Sequence, residues 1–152
     1  MSNHRPTSDE LWMTVADAIA SRSRCGKGVG AVVVSSDNRS VGTGYNGPPA
    51  GWPVDGPCSQ FCERMKTKHK DPGYTDCPSN HAEINALLYS DYSARQGGTL
   101  YITTAPCIIC SKAIANSGIS RVVWRKTETK PHRDPRESKR FLRVCGLTVK
   151  EI

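Results

Sequence analysis

Thr99-Leu-Tyr-Ile-Thr-Thr-Ala-Pro-Cys-Ile-Ile-Cys-Ser-Lys-Ala-Ile-Ala-Asn-Ser-Gly-Ile-Ser-Arg-Val-Val-Trp124 is the stretch whose reading decides the fold. Thr99 to Thr103 has the composition of a strand, Cys107 to Ser117 that of a helix opened by Pro106, and Ser120 to Trp124 that of another strand. Strand, helix and strand in that order predict a sheet covered by helices, an α/β architecture. Working upstream, His81 to Tyr89 reads as a further helix, and Val29-Gly-Ala-Val-Val-Val34 as a buried strand. That strand ends at the turn residues Ser35-Ser-Asp-Asn38, and a second one, Ser40 to Tyr45, completes a hairpin. At the start, Thr7-Ser-Asp-Glu10 has the form of a capping box. Leu11, Val15, Ala18 and Ile19 follow it at helical spacing, which predicts a helix to about Arg22. Downstream, a charged helix from about Asp134 to Val144 and a strand from Leu147 to Glu151 finish the chain.

At 152 residues the sequence has room for one compact domain, residues 1–152. Its 37% hydrophobic and 23% charged residues are those of a globular protein, and no apolar run approaches the roughly 18 residues of a membrane span. The polar start, without a secretory pattern, predicts a cytoplasmic protein. Seven cysteines, an odd number, fit metal ligands and free thiols better than a disulfide framework. The formal charge of +7 implies attraction to anions, from a nucleotide phosphate to a nucleic acid backbone. Much of that charge lies between Arg121 and Arg143, which reads first as a solvated face. Between the hairpin and the His81 helix lies an irregular insert at about 47–79, rich in Gly, Pro and Cys and longer than most ordered connections.

Two short motifs carry chemistry: His81-Ala-Glu83 and Pro106-Cys107-Ile-Ile-Cys110. Each alone has a bland reading, since a C-x-x-C pair serves redox or structural zinc sites and Asn80-x-x-Glu83 could be a capping box. Together they form the H-x-E and P-C-x-x-C signature of zinc nucleobase deaminases. Cys107 and Cys110, at i and i+3, share a helix face in the first turn, where the helix dipole favours thiolate. His81, Cys107 and Cys110 leave one position on a zinc ion open, the arrangement of a catalytic rather than a structural site. Glu83 is then the proton shuttle.

With Gly44-Tyr-Asn-Gly47, His81-Ala-Glu-Ile-Asn-Ala86 and Thr103-Thr-Ala-Pro-Cys107, the chain resembles the cytidine deaminase superfamily, and within it the deoxycytidylate (dCMP) deaminases, over roughly Cys25 to Trp124. The resemblance implies a three-layer α-β-α fold with a five-stranded mixed sheet, zinc at helix N-termini, and a homo-oligomer (hexamer, tetramer or dimer). It implies conversion of dCMP, with or without a 5-substituent, to dUMP and ammonia, the thymidylate precursor. It also admits dCTP and dTTP effectors with Mg2+. Asn46 matches a position associated with the sugar, although Asn-Gly is also a common turn dipeptide. Ala82 and Ala105 stand where backbone groups read the cytosine edge. Arg24 and Lys27, beside glycines, are the candidates for the phosphate. Cys58, Cys62 and Cys77, with Cys25 or His69, are candidates for a second, structural zinc, the alternative being ordinary thiols. Cys145 reads as a core residue.

Two rivals remain at this level. A nucleic acid deaminase, acting on tRNA adenosine or single-stranded cytosine, would welcome the positive charge, but no aromatic-interleaved basic tract is present to stack bases. A zinc-stabilised binding module would use the same ligands but has no need of Glu83.

Overall fold

The computed structural model of the protein describes residues 4–39, 41–71 and 73–152. In chain order the elements are α1 (Ser8–Ala20), β1 (Gly30–Val34), β2 (Val41–Tyr45), α2 (Cys58–Phe61), α3 (Glu63–Lys66), α4 (Ala82–Leu88), α5 (Tyr92–Arg95), β3 (Thr99–Ile102), α6 (Ile108–Ala115), β4 (Arg121–Trp124), α7 (Pro135–Val144) and β5 (Thr148–Glu151). The five strands form one mixed sheet in the order β2-β1-β3-β4-β5. β1 pairs antiparallel with both β2 and β3, whereas β3, β4 and β5 run parallel. α6 and α7 are the crossovers that parallel pairing requires. The expected start of the second strand, Ser40, lies outside the described residues.

Burial explains the layers. β1 sits inside the sheet and is buried at every position, which is why it reads as an unbroken apolar run. One face of the sheet, with Val33, Leu100, Ile102, Val122 and Trp124, packs against Ala82 and Ala86 of α4, Ile114 of α6 and Leu142 of α7. The opposite face, with Val32, Val34, Tyr101 and Val123, packs on Met13 and Ala16 of α1. The result is the three-layer α-β-α arrangement. α1 begins with the predicted reciprocal cap, in which Glu10 N–H donates to Thr7 Oγ1 and the Glu10 carboxylate accepts from Thr7 N–H. A bidentate pair from Arg121 to Asp9, joined by Tyr101 Oη and Lys150 Nζ, ties the start of α1 to β3, β4 and β5.

The edge strand β2 matters for the site. Its buried positions are Gly42 and Gly44, and they face α4. A Cβ on Gly44 would lie 2.8 Å from the Asn85 carbonyl carbon and closer still to the Ala86 nitrogen and the Ala82 oxygen. The glycine lets the backbone of α4 lie directly against the sheet.

Three features differ from the sequence expectation. The insert contains two single-turn helices, α2 and α3, and α5 follows α4. None is long enough for hydrophobic periodicity to reveal it. Cys145, expected in the core, is exposed: the chain reverses through Gly146 at φ 87°, and Leu147 enters the core instead. Among the described residues no helix is long and apolar enough to cross a membrane.

Candidate active site

Two helix N-termini meet on the α4 and α6 side of the sheet. His81 is the N-cap of α4 in extended conformation, with φ −73° and ψ 151°, and its side chain caps nothing. The imidazole is therefore free to turn toward α6. His81 Nδ1 lies 3.2 Å from Cys110 Sγ and 3.6 Å from Cys107 Sγ. Cys107 is the N-cap of α6, and its Sγ accepts from the Cys110 N–H at 3.5 Å. Ser138 Oγ of α7 donates to the Pro106 carbonyl at 2.7 Å and holds this loop from behind. The His81, Cys107 and Cys110 ligand atoms all lie within 4.8 Å of one another, and no other His, Cys, Asp or Glu trio among the described residues does so.

The electrostatics match the geometry. Hydrogen bonding from Cys110, then from His81, outweighs burial and pulls the Cys107 thiol well below its ordinary value, which favours the thiolate. The same pairing and burial push Cys110 upward, as expected when two sulfurs share one proton. Imidazole nitrogen with two sulfurs is a donor set suited to zinc, and three ligands leave a coordination position open. Glu83, in the first turn of α4, is 1% exposed, and its Oε1 has no hydrogen-bond partner. Burial pushes its carboxyl upward against the pull of His81 and Arg133. A cap role with Asn80 is not what the structure shows. Glu83 instead lines a cavity of about 430 Å3 that also reaches His81, Lys27 and Tyr74, a size that accommodates a small ligand.

Residues 6–126 match the family described as the cytidine and deoxycytidylate deaminase zinc-binding region. The chain belongs to this family. It is 47% identical over 128 residues to the deoxycytidylate deaminase of Mycobacterium phage D29, covering 80% of this chain and 97% of that one. It is 30% identical to the deoxycytidylate deaminase of Enterobacteria phage T4, covering 90% and 86% of the two chains. The crystal structure of dCMP deaminase from the cyanophage S-TIM5 in complex with dCMP and dUMP superposes with a TM-score of 0.75 at 30% identity, covering 99% of this chain and 100% of that one.

For a member of the deaminase family, the residues predicted around the zinc motif fall unevenly. Ala82 is buried in the first turn of α4 and lines the cavity. Ala105 does not line it, and its N–H is donated to Thr127 Oγ1 at 2.9 Å. Asn46 lines the cavity, and its amide makes one bond at each end, Oδ1 accepting from Val29 N–H at 2.7 Å and Nδ2 donating to the Lys27 carbonyl at 2.9 Å, which leaves a second N–H and a second lone pair. Its side chain therefore fixes the backbone leading into β1. Lys27 lines the cavity; Arg24 does not. Arg24 donates to Asp55 Oδ1 and the Val54 carbonyl, both at 2.9 Å, and lies over the Phe61 ring, so it staples the insert.

The insert cysteines come together without forming a second trio. Cys58 and Cys62 are buried with Phe61, and Cys77 packs beside them. Cys58 Sγ accepts from Gly26 N–H at 3.2 Å, Cys25 Sγ donates to Ser79 Oγ at 3.1 Å, and His69 is exposed. Sequence reasoning missed the other side of the cavity, where Tyr74 and His132 meet at 3.0 Å and Arg133 is buried. Arg133 stands in the basic run read as a solvated face, and nothing in its local sequence separates it from its neighbours.

Proposed function

We propose that this chain catalyses the hydrolytic deamination of dCMP to dUMP and ammonia. The observation that carries the reading is the His81, Cys107 and Cys110 trio, whose His81 lines one cavity together with the buried, unpartnered Glu83. His81, Cys107 and Cys110 would hold zinc, which when bound acts as a Lewis acid and makes a water ionisable near neutral pH. Glu83 does the proton work. As carboxylate it takes a proton from the attacking water and delivers it to N3 of the cytosine ring, while the water oxygen bonds to C4. It then carries the second water proton to the exocyclic amine, the C4–N bond breaks, ammonia leaves, and the oxygen stays as the uracil carbonyl. Burial of Glu83 suits this shuttle, because a carboxyl raised from its ordinary value exchanges protons more readily at neutral pH. The relatives' names favour the free nucleotide over a nucleic acid substrate.

Finer features of this reading follow from the same family. A second, structural zinc would draw on Cys58, Cys62 and Cys77, with Cys25 or His69, and metal analysis giving two ions per folded chain tests it. A homo-oligomer would cover the exposed Leu88, Tyr89 and Tyr92, and light scattering tests that. The experiment for the central reading is ammonia release from deoxycytidine, dCMP, dCTP, 5-methyl-dCMP and a cytosine oligonucleotide, with Glu83→Gln as the blank. Turnover of dCMP that vanishes in Glu83→Gln, with zinc retained, is expected; turnover of the oligonucleotide alone would reverse the assignment. Adding dCTP or dTTP with Mg2+ to the same assay tests for effectors.

A further inference from the structure

The geometry points to Arg133 as the residue that recognises the substrate phosphate, making it the determinant of a nucleoside monophosphate over a nucleoside. This deepens the deaminase reading and rests on it. Among the described residues, the buried side-chain polar atoms without a hydrogen-bond partner are Trp52 Nε1, Trp124 Nε1, Glu83 Oε1 and Arg133 Nε. Glu83 and Arg133 belong to the wall of the same cavity. Arg133 is only 9% exposed, and its side-chain hydrogen bond runs from Nη1 to the neutral Thr104 Oγ1 at 3.3 Å. No carboxylate pairs with it among the described residues. A buried guanidinium is costly unless an anion meets it, and its planar fork suits the oxygens of a phosphate.

The placement is built rather than incidental. Lys130 and Arg133 exchange backbone hydrogen bonds of 2.8 and 2.9 Å, closing a tight turn around Pro131 and His132. His132 Nε2 and Tyr74 Oη, 3.0 Å apart, fasten that turn to the insert, while Thr104 holds the guanidinium from the β3 side. Of the other cations in the wall, Arg64 is engaged by Asp76 at 3.2 Å and by the Tyr74 ring. Lys27, like Arg133, has no carboxylate partner among the described residues. Its ammonium is held below its ordinary range by burial, then by Lys130 and Arg133, which marks this corner as short of negative charge. The cavity wall thus offers both a proton-shuttling carboxyl and cations without a carboxylate partner among the described residues. A ligand with a neutral amidine-like ring and a separate dianionic group is complementary to both.

The charge of Arg133 is also felt at His81, Glu83 and Cys110, so it could act on the metal centre instead, and the test must separate the two roles. Wild type, Arg133→Ala and Arg133→Lys are compared for kcat/KM on dCMP and deoxycytidine, and for dUMP and deoxyuridine affinity by titration calorimetry. Arg133→Ala should lower the dCMP-to-deoxycytidine ratio of kcat/KM roughly 100-fold. It should also bring dUMP affinity down toward that of deoxyuridine. Arg133→Lys should restore part of the ratio through charge without the fork. If Arg133→Ala does not fold, the lysine variant still decides: an unchanged substrate ratio and unchanged dUMP affinity would overturn the proposal. Equal losses on both substrates would also overturn it, pointing to the metal centre. Wild type that deaminates no cytosine nucleotide would refute the deaminase reading alone, and Arg133-dependent binding of dUMP would still support the phosphate role.

Discussion

Gly44→Ala tests whether the close approach of β2 to α4 sets the reactive geometry. The new Cβ would stand 2.8 Å from the Asn85 carbonyl carbon and closer still to Ala86 N and Ala82 O, inside the 3.0 Å that side-chain carbons essentially never cross. All three atoms are helix backbone, so no side chain can swing aside. Relief requires α4 to retreat by on the order of 1 Å, carrying His81 and Glu83 with it, and misplacement on that scale costs about 100-fold in rate. Overpacking should also cost roughly 1–3 kcal/mol, a fall in Tm of roughly 5 °C. The assay is kcat on dCMP with zinc content and thermal denaturation measured on the same preparation. A folded, zinc-loaded variant with wild-type kcat would refute the reasoning, because it would show that the edge strand yields and the helix stays.

Three further outcomes are expected. Asp9→Asn should destabilise the fold by about 2 kcal/mol near neutral pH, because it strands Arg121 and Lys150. The hydrogen bonds from Arg121, joined by those from Lys150 and Tyr101, hold the Asp9 carboxyl below its ordinary value against the effect of burial. Its contribution is therefore complete above the unfolded value near ~3.9 and disappears as pH falls through the lower folded value. The Tm gap between wild type and variant should stay constant from neutral pH to about pH 5 and close in stronger acid; a gap that widens there would contradict the assignment. Thr7→Ala removes the N-cap of α1 and should cost about 1 kcal/mol in denaturant unfolding, with no change in kcat. Stripping metal with a chelator should abolish turnover and lower Tm, since the donors are embedded in the core, and added zinc should restore both. A chelated protein that retains its Tm would show that the trio holds no structural ion.

Sequence legibility followed the range of the interaction that places each residue. Cys107 and Cys110 could be paired on paper because i and i+3 positions share a helix face whatever the rest of the chain does. His81 could be added because an H-x-E pattern at a helix start has a local chemical logic. The Thr7 and Glu10 cap and the apolar run of β1 are equally local, and all formed as read. Longer-range placement was not readable. Asn46 reads only as a sugar contact or a turn residue, and its bonds to Val29 and Lys27, which tie it to the segment before β1, appear only once β2 folds back on β1. Arg24 and Lys27 are three positions apart, but only Lys27 faces the cavity while Asp55 takes Arg24 into the insert.

By itself, then, the sequence pointed to the grouping of His81, Cys107 and Cys110, the nearby carboxyl of Glu83 and the alternation of strands and helices, because each motif is written within a turn or a strand. Tertiary structure alone decided that Gly44 is a contact surface for α4, that Cys145 faces solvent, and that Arg133, one cation in a basic run, is the one buried in the cavity wall. Burial and partnership are properties of what the rest of the chain packs around a residue, and a side chain's type does not encode its neighbours across the fold.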